Sequence, residues 1–186
     1  MAEPRVWVLL GRKAGDNTQV RALAGELGWT VTEKNIVARS WEIVPHLLLG
    51  PNLVGINRAA SSPLNPPWPD LVISAGRRNE PVAQWIRARS GGQCQLVHMG
   101  RPWSAPEKYQ LVISTPQYFL EPGPEVLMNR LPLHNFQPDS LTVNGTEFEA
   151  EHSSLPRPWT TVLVGGNSGK YVFTEDTGRQ LGRQIQ

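Results

Sequence analysis

The sequence predicts an α/β fold, a parallel sheet with flanking helices, followed by a strand-turn-helix fragment of a second domain. Two observations carry this. Strand-like runs such as Val6 to Leu10 and Asp70 to Ser74 are each followed by a turn and then by apolar residues at helical spacing. A strand, helix, strand order of this length is a βαβ unit, and its strands run parallel.

The elements follow in order. Val6 to Leu10 reads as a buried strand, and Gly11 to Asn17 as the turn after it. Val20, Leu23, Ala24 and Leu27 then form one apolar helical stripe, with Asp16 or Asn17 as the cap and Gly28 at the left-handed end. Trp29 to Glu33 alternates and reads as the next strand. Pro45, Pro51, Pro63, Pro66, Pro67 and Pro69 then leave room only for a short helix near Trp41 to Leu49. Asp70 to Ser74 is a buried strand, Ala75 to Asn79 a turn, and Pro81 the first position of a helix that continues through Val82, Trp85 and Ile86. Cys94 to Met99, Leu111 to Ser114 and Val126 to Leu131 read as further strands. Pro138 to Pro158 reads as a connector, Thr160 to Val164 as a buried strand, and Glu175 to Ile185 as a helix capped by Thr174. This sets a first domain at 1–137 and a connector at 138–158, and the strand and helix of 159–186 must join the first sheet, pair with another chain or open a second domain.

Composition narrows the function. The single Cys94 excludes an internal disulfide framework and a cysteine-based zinc site, and it points to a reducing, cytoplasmic setting. No apolar run is long enough for a signal peptide or a bilayer span, so the chain is expected to be soluble or peripherally membrane-associated. Net charge is +2 and no dense basic stripe occurs, so nucleic acid is not an expected partner. The four histidines, His46, His98, His134 and His152, are scattered and read as packing and hydrogen-bonding residues, so no metal and no cofactor is expected.

Three turns follow strand ends, where backbone N–H groups converge on anions in open α/β sheets. The first offers Gly11, Lys13, Asp16, Asn17 and Gln19, with Lys13 for an anion and the others for hydroxyls or amides. The second offers Gly76, Arg77 and Arg78, two guanidinium forks able to hold a phosphate or carboxylate. The third, Gly165, Gly166, Asn167, Ser168 and Gly169, has the backbone freedom to approach a phosphate. It is not a P-loop: three residues rather than four separate Gly165 from Gly169, and Tyr171 follows Lys170 where that motif needs a hydroxyl for magnesium. Nor does it match a nucleophile elbow, and Gly11 to Gly15 does not match the dinucleotide fingerprint. Asp16 alone has the chemistry of a general base, but a capping role would leave it solvated and acidic, so no catalytic residue is assigned.

The runs Val8 to Gln19, Pro69 to Arg78 and Val162 to Gly169 together resemble the mitochondrial-fission (elongated mitochondria) family, which plants use in organelle division and many bacteria also possess. That family resembles GT-B glycosyltransferases, in which two Rossmann-like domains face each other across a cleft. The turn after Val164 is similar to the one opening the second, donor-binding domain in the lipid-linked N-acetylglucosaminyltransferase of peptidoglycan synthesis. The resemblance implies a first Rossmann-like domain plus the start of a second. It also implies a nucleotide-sugar or other phosphate-bearing small molecule as ligand. The glycines after Val164 would then contact a donor diphosphate, while Lys13, Asp16, Asn17, Arg77 and Arg78 would line the acceptor side. The alternative it implies is a noncatalytic interaction module with a protein or membrane-surface partner.

Overall fold

In the computed structural model, which describes residues 3–39, 50–167 and 171–185, six strands form one all-parallel sheet flanked by helices, a Rossmann-like α/β arrangement. The helix expected near Trp41 to Leu49 and the site candidates Ser168 and Gly169 lie outside the described residues. The strands are β1 (Val6–Leu10), β2 (Val31–Asn35), β3 (Leu71–Ala75), β4 (Gln95–Met99), β5 (Leu111–Ser114) and β6 (Val126–Met128). Their order across the sheet is β2-β1-β3-β4-β5-β6. Helix α1 (Ala14–Glu26) joins β1 to β2, and α2 (Glu80–Arg89) joins β3 to β4.

Side-chain alternation divides the core between two faces. Trp7, Leu9, Val72, Leu96 and Val112 point to one face, where Val82, Ala83 and Ile86 of α2 cover them with Leu53 and Ile56 from the long β2–β3 connection. Val6, Val8, Leu10, Ile73, Ala75, Met99 and Ile113 point to the other, under Val20 and Ala24 of α1. Every residue of β1 is buried, as expected of a central parallel strand covered on both sides.

The connections explain this split. From β1 the chain steps one way to β2 over α1, and from β3 it steps the opposite way to β4 over α2. Crossovers of one hand that travel in opposite directions must lie on opposite faces. The order therefore reverses between β1 and β3, and the crevice of an open α/β sheet opens there, outside the strands' carboxyl ends.

Several sequence expectations need correction. α1 begins at Ala14 with Lys13 in the cap position, so Asp16 and Asn17 lie inside its first turn and neither caps it. The expected strand at Trp29 begins at Val31, after Gly28 ends the helix turn with φ +65°. β6 stops at Met128 instead of Leu131.

The chain divides into two units, Met1–Phe136 and Gln137–Gln186. In the second, residues read as a connector form helix α3 (Pro138–Glu151). Phe148 of α3 stacks on His152 and meets the Trp159 ring edge-on at 5.7 Å. The expected buried strand at 160–164 is neither paired nor buried, and Leu163 is 93% exposed. Val162, Leu163 and Val164 need neighbouring strands to become a buried strand, and the described part of this unit holds none for them. Helix α4 (Glu175–Ile185) is capped as expected, with the Thr174 hydroxyl accepting from Thr177 N–H at 3.2 Å.

Candidate functional site at the carboxyl edge of the sheet

The first two turns meet at the crevice between β1 and β3. Asn17, one turn into α1, reaches back to Gly11: its side-chain oxygen accepts from Gly11 N–H at 2.9 Å and its amide donates to Gly11 C=O at 2.8 Å. Asn79, at the start of α2, donates to the Leu9 carbonyl at 3.1 Å and so ties the second turn to β1. These amides satisfy backbone groups that the end of β1 would otherwise leave unpaired. The sequence reading missed Asn79, whose contact lies 70 residues away along the chain.

Gly76 and Asp16 mark the closest approach. Gly76 has φ +73°, and a Cβ built there would lie 2.5 Å from Asp16 Oδ2, a separation no real side chain tolerates. Only glycine meets both demands without strain. Gly76→Ala is expected to lower the unfolding free energy by about 1 to 3 kcal/mol. Gly15→Ala, where a Cβ meets nothing within 4 Å in the first turn of α1, should leave stability unchanged or raise it. Urea denaturation of the two variants checks this, and equal midpoints would contradict it.

The charge in the crevice is mixed. Asp16 is half-buried and accepts no hydrogen bond among the described residues. Burial pushes its carboxyl above the ordinary value, with the Lys13 ammonium opposing that rise. A capped, solvated carboxylate was expected here, and its burial inside α1 overturns that expectation. Lys13 and Arg77 are exposed, Arg78 is half-buried, and Gln19 is half-buried in the next turn of α1. The Arg77 guanidinium lies over the Trp103 ring, 5.2 Å from its centroid.

A buried polar cluster supports this edge from the α2 side. Glu80, the first residue of α2, is fully buried; its carboxylate accepts from the backbone N–H groups of Trp103 and Ser104, each at 2.8 Å. Burial pushes this carboxyl up, but the Ser104 side chain and these two N–H donors outweigh it and hold the group below its ordinary value. Gln84 links Ser104 and Tyr109, donating to Ser104 Oγ at 2.7 Å and to the Tyr109 hydroxyl at 3.1 Å. His98 Nδ1 lies 3.0 Å from Ser74 Oγ across the β3–β4 pairing, while its Nε2 is buried without a partner among the described residues. Cys94 is buried and its thiol is pushed up to about 12, chiefly by desolvation, so it is no nucleophile. Among the described residues no group of three His, Cys, Asp or Glu side chains could hold a metal ion.

The third turn belongs to the second unit. Gly165, Gly166 and Asn167 are exposed, and Asn167 accepts from Phe173 N–H at 2.7 Å. Residues 171–174 intervene before α4, whose first turn already carries Glu175 and Asp176 against its dipole.

The sequence model of the mitochondrial fission ELM1 family matches residues 14–186. The chain belongs to this family. The matched span opens at the first residue of α1; it takes in Asp16, Asn17, Gly76, Arg77, Arg78 and Gly165 to Asn167, and leaves Gly11 and Lys13 just before it. Neither the curated proteins nor the solved structures include a significant match. Among the described residues no helix is long and apolar enough to cross a membrane.

Proposed function

We propose that this member of the family binds a nucleotide-sugar or another phosphate-bearing small molecule at the carboxyl edge of β1 and β3, and acts in glycosyl transfer. One observation carries the reading. The strand order reverses at β1 and β3, and there the Gly11–Asn17 and Gly76–Asn79 turns close on each other around the Asp16 carboxylate, with the Lys13 ammonium acting on it. Lys13, Arg77 and Arg78 supply charge for a phosphate.

Asp16 is the proton acceptor in this reading. An acceptor hydroxyl gives its proton to the Asp16 carboxylate and its oxygen bonds to the anomeric carbon, while the bond from that carbon to the diphosphate breaks and the diphosphate leaves with the electron pair. Desolvation fits Asp16 for the task, because a raised carboxyl is a stronger base than a solvated one.

Calorimetric titration of nucleoside diphosphates and nucleotide-sugars tests the reading. Saturable binding is expected, weakened at least about tenfold by Arg77→Ala with Arg78→Ala, since charge-assisted bonds to phosphate are the stronger kind. Asp16→Asn is expected to keep binding and lose transfer. No binding, or binding indifferent to both arginines, overturns the proposal. It would favour a noncatalytic interaction module, a reading that draws on the exposed apolar Leu163, Tyr171 and Val172 of the second unit.

A further inference from the structure

A second cavity, of about 480 Å³, lies on the α2 face of the sheet, lined by the 53–68 connection and the last turns of α2. α2 starts with Glu80 at the carboxyl edge and ends at Arg89, so this cavity sits toward the amino ends of the strands, away from the crevice. Its volume lies within the range that holds a single small organic ligand.

One wall is fixed to the edge of the sheet. Ser62 Oγ accepts from Asn35 N–H and Ser61 Oγ from Val37 N–H, each at 2.9 Å. Lys34 donates to the Pro63 carbonyl at 3.0 Å while lying over the Trp7 ring. These bonds occupy the edge groups of β2 and its extension, and they hold residues 61–63 in place before any ligand arrives. At the end of the connection Trp68 is wedged between Trp7, at 6.1 Å, and Trp85 of α2, at 5.8 Å and nearly perpendicular.

The chemistry of the lining is one-sided. Trp85 and Arg89 stand four residues apart on one face of α2, with the Arg89 guanidinium 5.7 Å from the Trp85 ring centroid. Arg58 also lines the cavity, exposed and without a hydrogen bond or ion pair among the described residues. Leu53 and Leu64 supply apolar floor, and no carboxylate is among the described residues lining the cavity. Two guanidinium groups with no counter-charge, beside two indoles set edge to face, complement a ligand that is flat, apolar and anionic at one end.

We propose that this cavity is a second ligand site, taking an aromatic anion whose ring packs on Trp68 and Trp85 and whose carboxylate or phosphate is held by Arg58 and Arg89. It does not depend on the function proposed for the carboxyl edge.

The test is a calorimetric titration with 1-naphthyl phosphate, carried out in an Arg77→Ala, Arg78→Ala background so that the carboxyl edge does not contribute. One-to-one binding is expected, with inorganic phosphate and neutral 1-naphthol each at least about tenfold weaker, because each supplies half of the recognition. Adding Arg58→Gln and Arg89→Gln should weaken 1-naphthyl phosphate at least about tenfold. The Trp68 and Trp85 indole N–H resonances, assigned by Trp→Phe substitution, should shift on titration. Absence of saturable binding, equal affinity for 1-naphthol, or unmoved indole resonances would overturn the site. The resonances also decide the case if the glutamine variant fails to fold.

Discussion

Glu80→Ala is expected to lower the unfolding free energy by about 2 to 4 kcal/mol, from hydrogen bonds to a charged group worth about 1.5 to 3 kcal/mol each before water recovers part of the loss. The carboxylate is fully buried at the N-terminus of α2, where the helix dipole favours a negative charge, and it collects the N–H groups of Trp103 and Ser104 from the β4–β5 loop. Removing it leaves these two N–H donors without their acceptor. Glu80→Gln keeps one acceptor oxygen but turns an NH₂ group toward the other donor, so it should recover less than half of the loss. Urea denaturation at pH 7 reads both, and a loss below about 1 kcal/mol for Glu80→Ala would show that the loop is held by other contacts. The clamp also reaches the candidate site, because the loop it fixes carries Trp103, whose ring lies beneath Arg77. Its effect on ligand affinity should follow its effect on stability.

Glu80 shows where sequence reasoning stops. Beside Pro81 at a helix start it reads as an ordinary dipole-facing carboxylate, since nothing in the local pattern shows that its partners stand 23 and 24 residues later. The fold was legible for a complementary reason. Each strand of a parallel sheet covered on both faces is a short unbroken apolar run, and each crossover helix repeats its stripe every turn, so β1, α1, β3 and α2 declare themselves locally. Thr160 to Val164 has the same local signal as β1 and a different fate, because burial of a strand depends on neighbours that its own residues do not encode.

Residues 138–151 fail in the opposite direction. Leu141 and Phe148 stand seven apart with no continuous stripe between them, and both are largely exposed, so the helix has little amphipathic pattern to read. At the candidate site, the residue types in the turns were legible and their environments were not. A difference of three residues in the start of α1 turns Asp16 from a solvated cap into a half-buried carboxylate pressed against Gly76.

His98→Leu should make the protein more stable than the parent in mild acid. His98 is fully buried among β3, β4 and Tyr109, and desolvation lowers its pKa from 6.5 to about 4 against the opposing pull of Glu80. Between those two values the unfolded chain takes up a proton that the folded protein refuses. The contribution of the neutral ring is therefore fully present above pH 6.5, falls as pH drops, and is lost by about pH 4. Linkage puts the loss at about 2 kcal/mol by pH 5 and about 3 kcal/mol at its limit. Glu80, held below its ordinary value, loses its contribution only as pH falls further, and Asp16, raised by burial, acts in the opposite sense. The fall between pH 6.5 and 5 thus belongs to His98. Leucine removes the titration and the unpartnered Nε2 together, while Ser74 Oγ keeps the Val97 carbonyl at 3.5 Å as an acceptor, so at pH 8 the variant should lie within about 1 kcal/mol of the parent. Unfolding curves at pH 8, 6.5 and 5 should then cross, with the parent losing stability and His98→Leu holding level. A parent that is flat over this range, or a variant that falls in parallel with it, would place the proton elsewhere.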